Sequence, residues 1–535
     1  MPSAPALART LPVVTLLLLL TACPGQQHEP DPADADTSPD TASRDATPDD
    51  AEETRDAGDL SPRDSFDRRS DSTTDRDTSE MDARDAEEVA DSNDVIDPDT
   101  RVDVLDTATG ARDTTDATER GDTTAPDIPD ADTGGTPTGP WTRLIGSGGT
   151  ESINDIAVSA AGEIYVCGGT DSAIGNQTYA GGLSDGWLAK YDTAGNRKWV
   201  RLFGSSFIDI AASITLDGGE VFVAGTAGGS IGGQTFRGGQ TDGFLAQYDD
   251  RGNRQWARLI GTFEDDGFAS VTVDASDNVF AVGQAGGSLA GQIHNGGPTD
   301  GLLARYDRLG NRTWVRLIGS RNRDILSSVA VAGPDRIFAS GTAGGALNGQ
   351  TFNGGGSDSL VTEYNKSGKR IWTRLPGTSE ADSAYDVAVD SAGGRYVTGE
   401  STSPMSGNVQ NYFLGKYDAS GTRTWIRRSR MNVSGGEGGR GLAIDPAGSL
   451  ILVGWTDHAF GGATGLQGPT DALVATYDAK GMRTKVRLVG GPAEQFAEAA
   501  SLDGPHLYLG GLSTGGFGGA TYGGGSADGF VAKLP

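Results

Sequence analysis

A carboxylate recurs ten residues after a repeated tryptophan at Glu151, Asp209, Asp266, Asp324 and Asp382, and Glu437 and Glu494 stand close to that offset in two later repeats. Periodic carboxylates suit one of two tasks. If their loops converge on a common axis they form a ring of oxygens, and Ca²⁺ is the cation for it, since it takes six to eight oxygens at about 2.3–2.6 Å. If each stays within its own turn, its oxygens cap local backbone N–H groups instead. Trp187 and Trp455 fall outside the tryptophan period, and Trp455-Thr-Asp-His458 gathers an aromatic face, a carboxylate and an imidazole. No repeat architecture requires them, so Trp187, Trp455 and His458 are the ligand-binding candidates. Catalysis has thinner support. His28, His294, His458 and His506 are widely separated, and neither a C-x-x-C nor an H-E-x-x-H pattern occurs. No motif requires a cofactor. Carboxylates drawn from several loops nevertheless form the acid and base pair of glycoside hydrolysis, so a carbohydrate-acting enzyme is the alternative to a binding module.

These residues hang on a repeat. Trp141, Trp199, Trp256, Trp314, Trp372 and Trp425 mark six units and Lys485 takes the same place in a seventh, with an arginine two residues after each marker. A period of this length points to propeller blades. The arginine is expected to pair with a neighbouring carboxylate or to lay its stem over an outer strand. Within a unit, apolar alternation and turn signals give four short strands, A to D. Asp192-Thr-Ala-Gly195-Asn and Asp249-Asp-Arg-Gly252-Asn put glycine where a hairpin needs positive φ.

The repeats begin with a lone D strand, Trp141-Thr-Arg-Leu-Ile, and end on a C strand, Asp528-Gly-Phe-Val-Ala-Lys-Leu. Each end supplies what the other lacks. The prediction is therefore an all-β fold over residues 141–535, a seven-bladed β-propeller of four-stranded blades closed by the N-terminal strand. Its B–C and D–A connections share one face. The glycine-rich B–C loops carry Tyr179, Phe236, Phe352 and Tyr522, which either pack the loop onto its blade or offer a surface for a sugar or peptide.

Three features resemble the bacterial SBBP repeat: Asp528-Gly-Phe-Val-Ala-Lys-Leu, Asp386-Val-Ala-Val-Asp-Ser-Ala-Gly-Gly-Arg-Tyr-Val-Thr-Gly, and the Leu-x-Gly that ends most D strands. The resemblance covers the repeat region. It departs where Ser159 and Ala332 replace the aspartate that follows strand A at Asp217, Asp274, Asp390, Asp445 and Asp503. It implies an extracytoplasmic propeller and transfers no catalytic residue.

Ahead of the repeats, Arg9 and the apolar run Leu11 to Leu20 read as a secretory signal peptide over residues 1–22, too short to span a bilayer. Leu20-Thr21-Ala22-Cys23 resembles a lipobox, which implies lipid attachment at Cys23 and a membrane partner. With Pro24 next, the outer membrane is expected, on its periplasmic or its surface-exposed side. Residues 24–140 hold 35 acids against ten arginines, so 25 of the chain's 30 net negative charges sit there. With Phe66 as their one aromatic residue, they cannot bury enough apolar surface to order a chain. Residues 23–140 are accordingly predicted to be a disordered acidic linker. The absence of a basic stripe argues against nucleic acid. The expected function is a lipid-anchored, monomeric, extracytoplasmic binding module for a protein or glycan.

Overall fold

The computed structural model describes residues 139–403, 409–429, 436–463 and 465–535. The expected signal peptide, Cys23 and nearly all of the expected acidic linker lie outside the described residues. Twenty-eight strands form seven four-stranded antiparallel sheets, each joining neighbours in chain order except the last. They are the seven blades of a closed propeller. Among the described residues no helix is long and apolar enough to cross a membrane.

The middle strands read as near-continuous apolar runs because neighbouring blades cover both their faces. In blade one, strand B (Ile164–Thr170) and strand C (Asp185–Tyr191) are buried at every position. The C–D hairpins follow from local chemistry: Asp192 Oδ1 accepts the amides of Ala194 and Asn196, and Gly195 takes φ 79°. Asp249 with Gly252 and Asp307 with Gly310 repeat the device.

Blade seven joins the two ends of the repeat region. Trp141–Ile145 is its strand D and pairs antiparallel with strand C, Asp528–Leu534, from Trp141↔Lys533 to Ile145↔Gly529. Strands B (His506–Ser513) and A (Gln495–Asp503) complete the sheet.

The Trp-x-Arg marker is a clasp between blades. Trp199, on strand D of blade one (Arg197–Phe203), donates its indole N–H to Asp250 O at 3.0 Å, in the C–D turn of blade two. Arg201 Nε donates to Gly252 O of that turn at 3.1 Å, and its guanidinium lies 5.4 Å from the Trp199 ring centre. Arg143, Arg258, Arg316, Arg374 and Arg427 each reach the matching glycine carbonyl of the next blade. The recurring partner of the arginine is thus a carbonyl, because the left-handed glycine turns its C=O outward toward the guanidinium. The clasp also explains Lys485. It lies on strand D of blade six (Arg483–Val489), facing a blade whose C and D strands come from distant parts of the chain. No hairpin is present there to clasp.

Candidate functional site

The periodic carboxylates are buried one by one. Glu151, Asp209, Asp324 and Asp382 open strand A in blades one, two, four and five, and Asp266 directly precedes it in blade three, all at most 2% exposed. Asp209 Oδ2 accepts the amide and hydroxyl of Ser205 at 2.6 and 2.8 Å, and its Oδ1 the amide of Gly228 at 3.1 Å. Thr262, Ser320 and Thr378 serve Asp266, Asp324 and Asp382 in the same way. Glu151 receives Ser147 and the hydroxyls of Thr170 and Ser172. Of the two tasks open to the periodic carboxylates, these contacts are those of the local cap. Each acid turns under its own D–A connection, since the buried N–H groups of that turn need an acceptor. In blade seven the capping position belongs to Gln495, which accepts from Gly491 N at 2.8 Å, and not to Glu494. No three His, Cys, Asp or Glu side chains among the described residues are grouped to hold a metal ion.

A second set of aspartates opens strand C. Asp185, Asp242, Asp300, Asp358 and Asp528 are fully buried, and the Oδ2 of each accepts one B–C loop amide, as from Arg237 to Asp242 at 2.8 Å. Each Oδ1 has no hydrogen-bond partner. It lies instead against the glycine that ends strand D, where an added Cβ would overlap it. The strand-C acid of one blade and the strand-A acid of the next also feel each other's charge, as Asp242 and Asp266 do.

Burial therefore raises these carboxyls, to about 7 for Asp185 and to about 6 for Asp209, Asp242, Asp266 and Asp324. Acids that hold protons more tightly when folded give stability that is complete below pH 4 and lost as pH climbs through 6 to 7. The melting temperature is accordingly expected to fall from pH 5 to pH 8, by several degrees over five such groups. Scanning calorimetry across that range checks it, and a flat or rising profile contradicts it.

The channel itself is lined by the seven A strands. Each carries a β-bulge at the same place, as between Ile153 and Asp155 or between Gly439 and Gly441. The extra residue points to the axis and lines a cavity of about 200 Å³. In blades one to four it is Asn154, Ala212, Ala269 and Ser327; in blades five to seven it is Tyr385, Arg440 and Glu498. The next residue laces blade to blade. Asp155, Ser213, Ser270, Ser328 and Asp386 accept the amides of Ile214, Val271, Val329, Val387 and Leu442 at 2.8–3.4 Å. Gly441 and Ala499 carry no acceptor, and the lacing stops there.

Blades five to seven thus depart from the repeat where they meet the cavity. Arg440, 8% exposed, lies 4.5 Å over the Tyr385 ring, with Nη2 3.2 Å from Glu400 Oε1. Glu400 comes from strand B of blade five (Arg395–Ser403) and also receives the Tyr385 hydroxyl at 3.4 Å and the Trp455 indole. Burial raises the carboxyls of Glu400 and Glu498, and Arg440 only partly offsets it. Burial works against the charge of Arg440, and Glu400 leads the groups that keep it protonated. The connections change here too. Blade five is also shorter between strands B and C: the paired residues Thr170 and Asp185 of blade one are 15 apart in sequence, the matching Ser401 and Asn411 ten, and the spacing from Trp425 to Glu437 is twelve where the earlier markers and acids are ten apart.

The three off-period candidates go to three places. Trp187 is fully buried in the core between blades seven and one, its indole donating to Gly169 O at 3.0 Å. Trp455 lies within strand B of blade six (Leu450–Thr456) and meets Glu400. His458 turns the other way, with Nε2 3.2 Å from Glu437 Oε1 and Nδ1 3.3 Å from Asp457. Tyr385, Glu400, Arg440 and Glu498 are absent from the sequence expectations. Aligning the units at strand A exposes three of them, as bulky or charged residues where four units have Asn, Ala, Ala and Ser. Gly228-Gly-Ser-Ile-Gly232 also spells G-x-S-x-G. It sits in a B–C loop with Ser230 Oγ accepting Phe236 N, without the strand, turn and helix of a nucleophile elbow.

Residues 371–404, from strand D of blade four through strand B of blade five, match the family model described as Beta-propeller repeat, SBBP. The chain carries an SBBP repeat. Its match to the regulatory protein FlaEY of Caulobacter vibrioides is 22% identical over 238 residues, 39% of this chain and 25% of that protein. The chain thus spans a quarter of that curated relative's length. Among solved structures, the extracellular domain of BT4673 from B. thetaiotaomicron is 14% identical, with a TM-score of 0.38 over 70% of this chain and 39% of that one. A PL25 ulvan lyase gives 11% and 0.41 over 69% and 93%. The β-propeller domain of the trilobed protease from Pyrococcus furiosus gives 9% and 0.40 over 72% and 93%. The SBBP match ends at the shortened B–C loop, so the departure from the period lies at the edge of the matched repeat.

Proposed function

We propose that this chain is a lipid-anchored, extracytoplasmic interaction module whose propeller receives a protein or glycan group in its central channel. One observation carries the reading. In blades one to four the bulge residues at the axis are Asn154, Ala212, Ala269 and Ser327, whereas in blades five to seven they are Tyr385, Arg440 and Glu498, which line the same cavity. A closed ring needs none of them, since blades one to four do without. Leu20-Thr21-Ala22-Cys23 supports the anchor, and the outer membrane is the destination that Pro24 favours. On glycan and peptide arrays, Arg440→Met is expected to lose the signals of the wild type while still melting cooperatively, at a lower temperature because Glu400 loses its buried partner; identical patterns would remove the channel from the binding site. In cells, Cys23→Ala should leave the membrane fraction.

Glu400 and Glu498 favour a second reading, a carbohydrate-acting enzyme, because buried carboxyls with raised pKa suit a general acid. Release of reducing ends from a polysaccharide by the wild type, abolished in Glu498→Gln, would select it over simple binding.

A further inference from the structure

We infer that the channel takes a compact hydroxylated primary amine, its ammonium group held against Glu498. This deepens the proposed binding role and rests on it. The charged lining is Asp155, Asp265, Asp386, Glu498 and Arg440, so carboxylates outnumber the single basic group. Arg440 is moreover engaged from behind by Glu400, which is not part of the lining. The cavity therefore presents more acidic than basic groups, and an incoming cation would draw the carboxyl of Glu498, raised by burial, into its charged form.

The oxygens differ in availability. Asp155 accepts the amides of Ile156 and Ile214 and the Ser213 hydroxyl; Asp386 accepts those of Val387 and Leu442 and the Ser328 hydroxyl. Glu498 is different. It is 9% exposed, lines the cavity, and its Oε1 has no partner. A hard metal ion needs six to eight oxygens, and those of Asp155 and Asp386 are already taken by protein donors. An ammonium group needs fewer acceptors and brings three donors with its charge. Arg440 Nε is the matching unpartnered donor. It calls for a neutral acceptor such as a hydroxyl beside the ammonium, because an anionic one would meet the carboxylates.

Calorimetry on the full chain in detergent, near neutral pH, with D-glucosamine as probe and D-glucose, N-acetylglucosamine and CaCl₂ as controls, tests this. Glucosamine is expected to bind about tenfold or more tightly than either neutral sugar. Glu498→Gln should remove that preference with an unchanged melting temperature, and if that variant is destabilised, Glu498→Asp should weaken glucosamine binding in a folded ring. Equal binding of glucose and glucosamine, both lost in Arg440→Met, overturns the ammonium inference and leaves the channel reading standing. Binding of Ca²⁺ alone overturns it in favour of a metal. No heat from any of the four overturns the inference, and array signals that also ignore Arg440→Met remove the channel reading with it.

Discussion

A chain that begins at Ser147 is expected to lose cooperative melting and to aggregate, whereas one that begins at Gly139 melts like the full protein. The difference is one strand. Trp141–Ile145 makes five register pairs with Asp528–Leu534. Trp141 also packs edge-on against Tyr508 at 6.3 Å and donates to Thr193 O, and Arg143 donates to Gly195 O. Its removal bares the edge of Asp528–Leu534 and unclasps blade seven from blade one together. An unpaired strand edge is a template for association. Thermal melting by circular dichroism and sedimentation of the two truncations read the effect directly. A Ser147 chain that stayed monomeric with an unchanged melt would mean that the ring does not depend on this closure.

Gly261→Ala is expected to destabilise the propeller by about 1–3 kcal/mol, the usual range for overpacking a closed site. Its Cβ would overlap the Asp242 carboxylate, which is fully buried and cannot retreat. The glycine and the aspartate should therefore be coupled. Asp242→Ser makes room but gives up the acceptor for Arg237 N, so the double variant should lose less than the sum of the two single losses. The chain already contains this experiment. Blade five has Asn411 where other blades open strand C with aspartate, and the sequence has Arg430 in place of the strand-D glycine. Denaturant unfolding of the four proteins in the cycle measures the coupling, and strict additivity would show that the two positions do not touch.

The blades were legible because their signals are local and repeated: tryptophan markers, Asp-x-x-Gly hairpins and apolar middle strands. The ring's closure was legible too, since a leftover D strand and a missing one occur in the same chain. What the markers hold was not. Arg201 reaches a carbonyl 51 residues away in the next blade, and nothing local names that partner. The Leu-x-Gly ending was visible as a pattern, but its cause is the buried oxygen of a strand-C aspartate. The channel residues were hidden for another reason. A bulge in every A strand shifts the alternation by one residue, so a strict period-two reading assigns Arg440 and Glu498 to no consistent face. Trp187 stood out because its tryptophan breaks the period, and the structure buries it in the core between blades seven and one.

The Lys485 exception gives the ring a seam. Between blades six and seven there is no C–D hairpin to clasp, and Gly441 leaves the inner lacing open at the same interface. Local opening has the lowest cost where such ties are missing, so amide exchange in the ring should start at that joint. Arg440 and Glu498 stand on its two sides. Anything that bridges them acts as the missing stitch, and would register at a distance as slower exchange along the whole of blade seven.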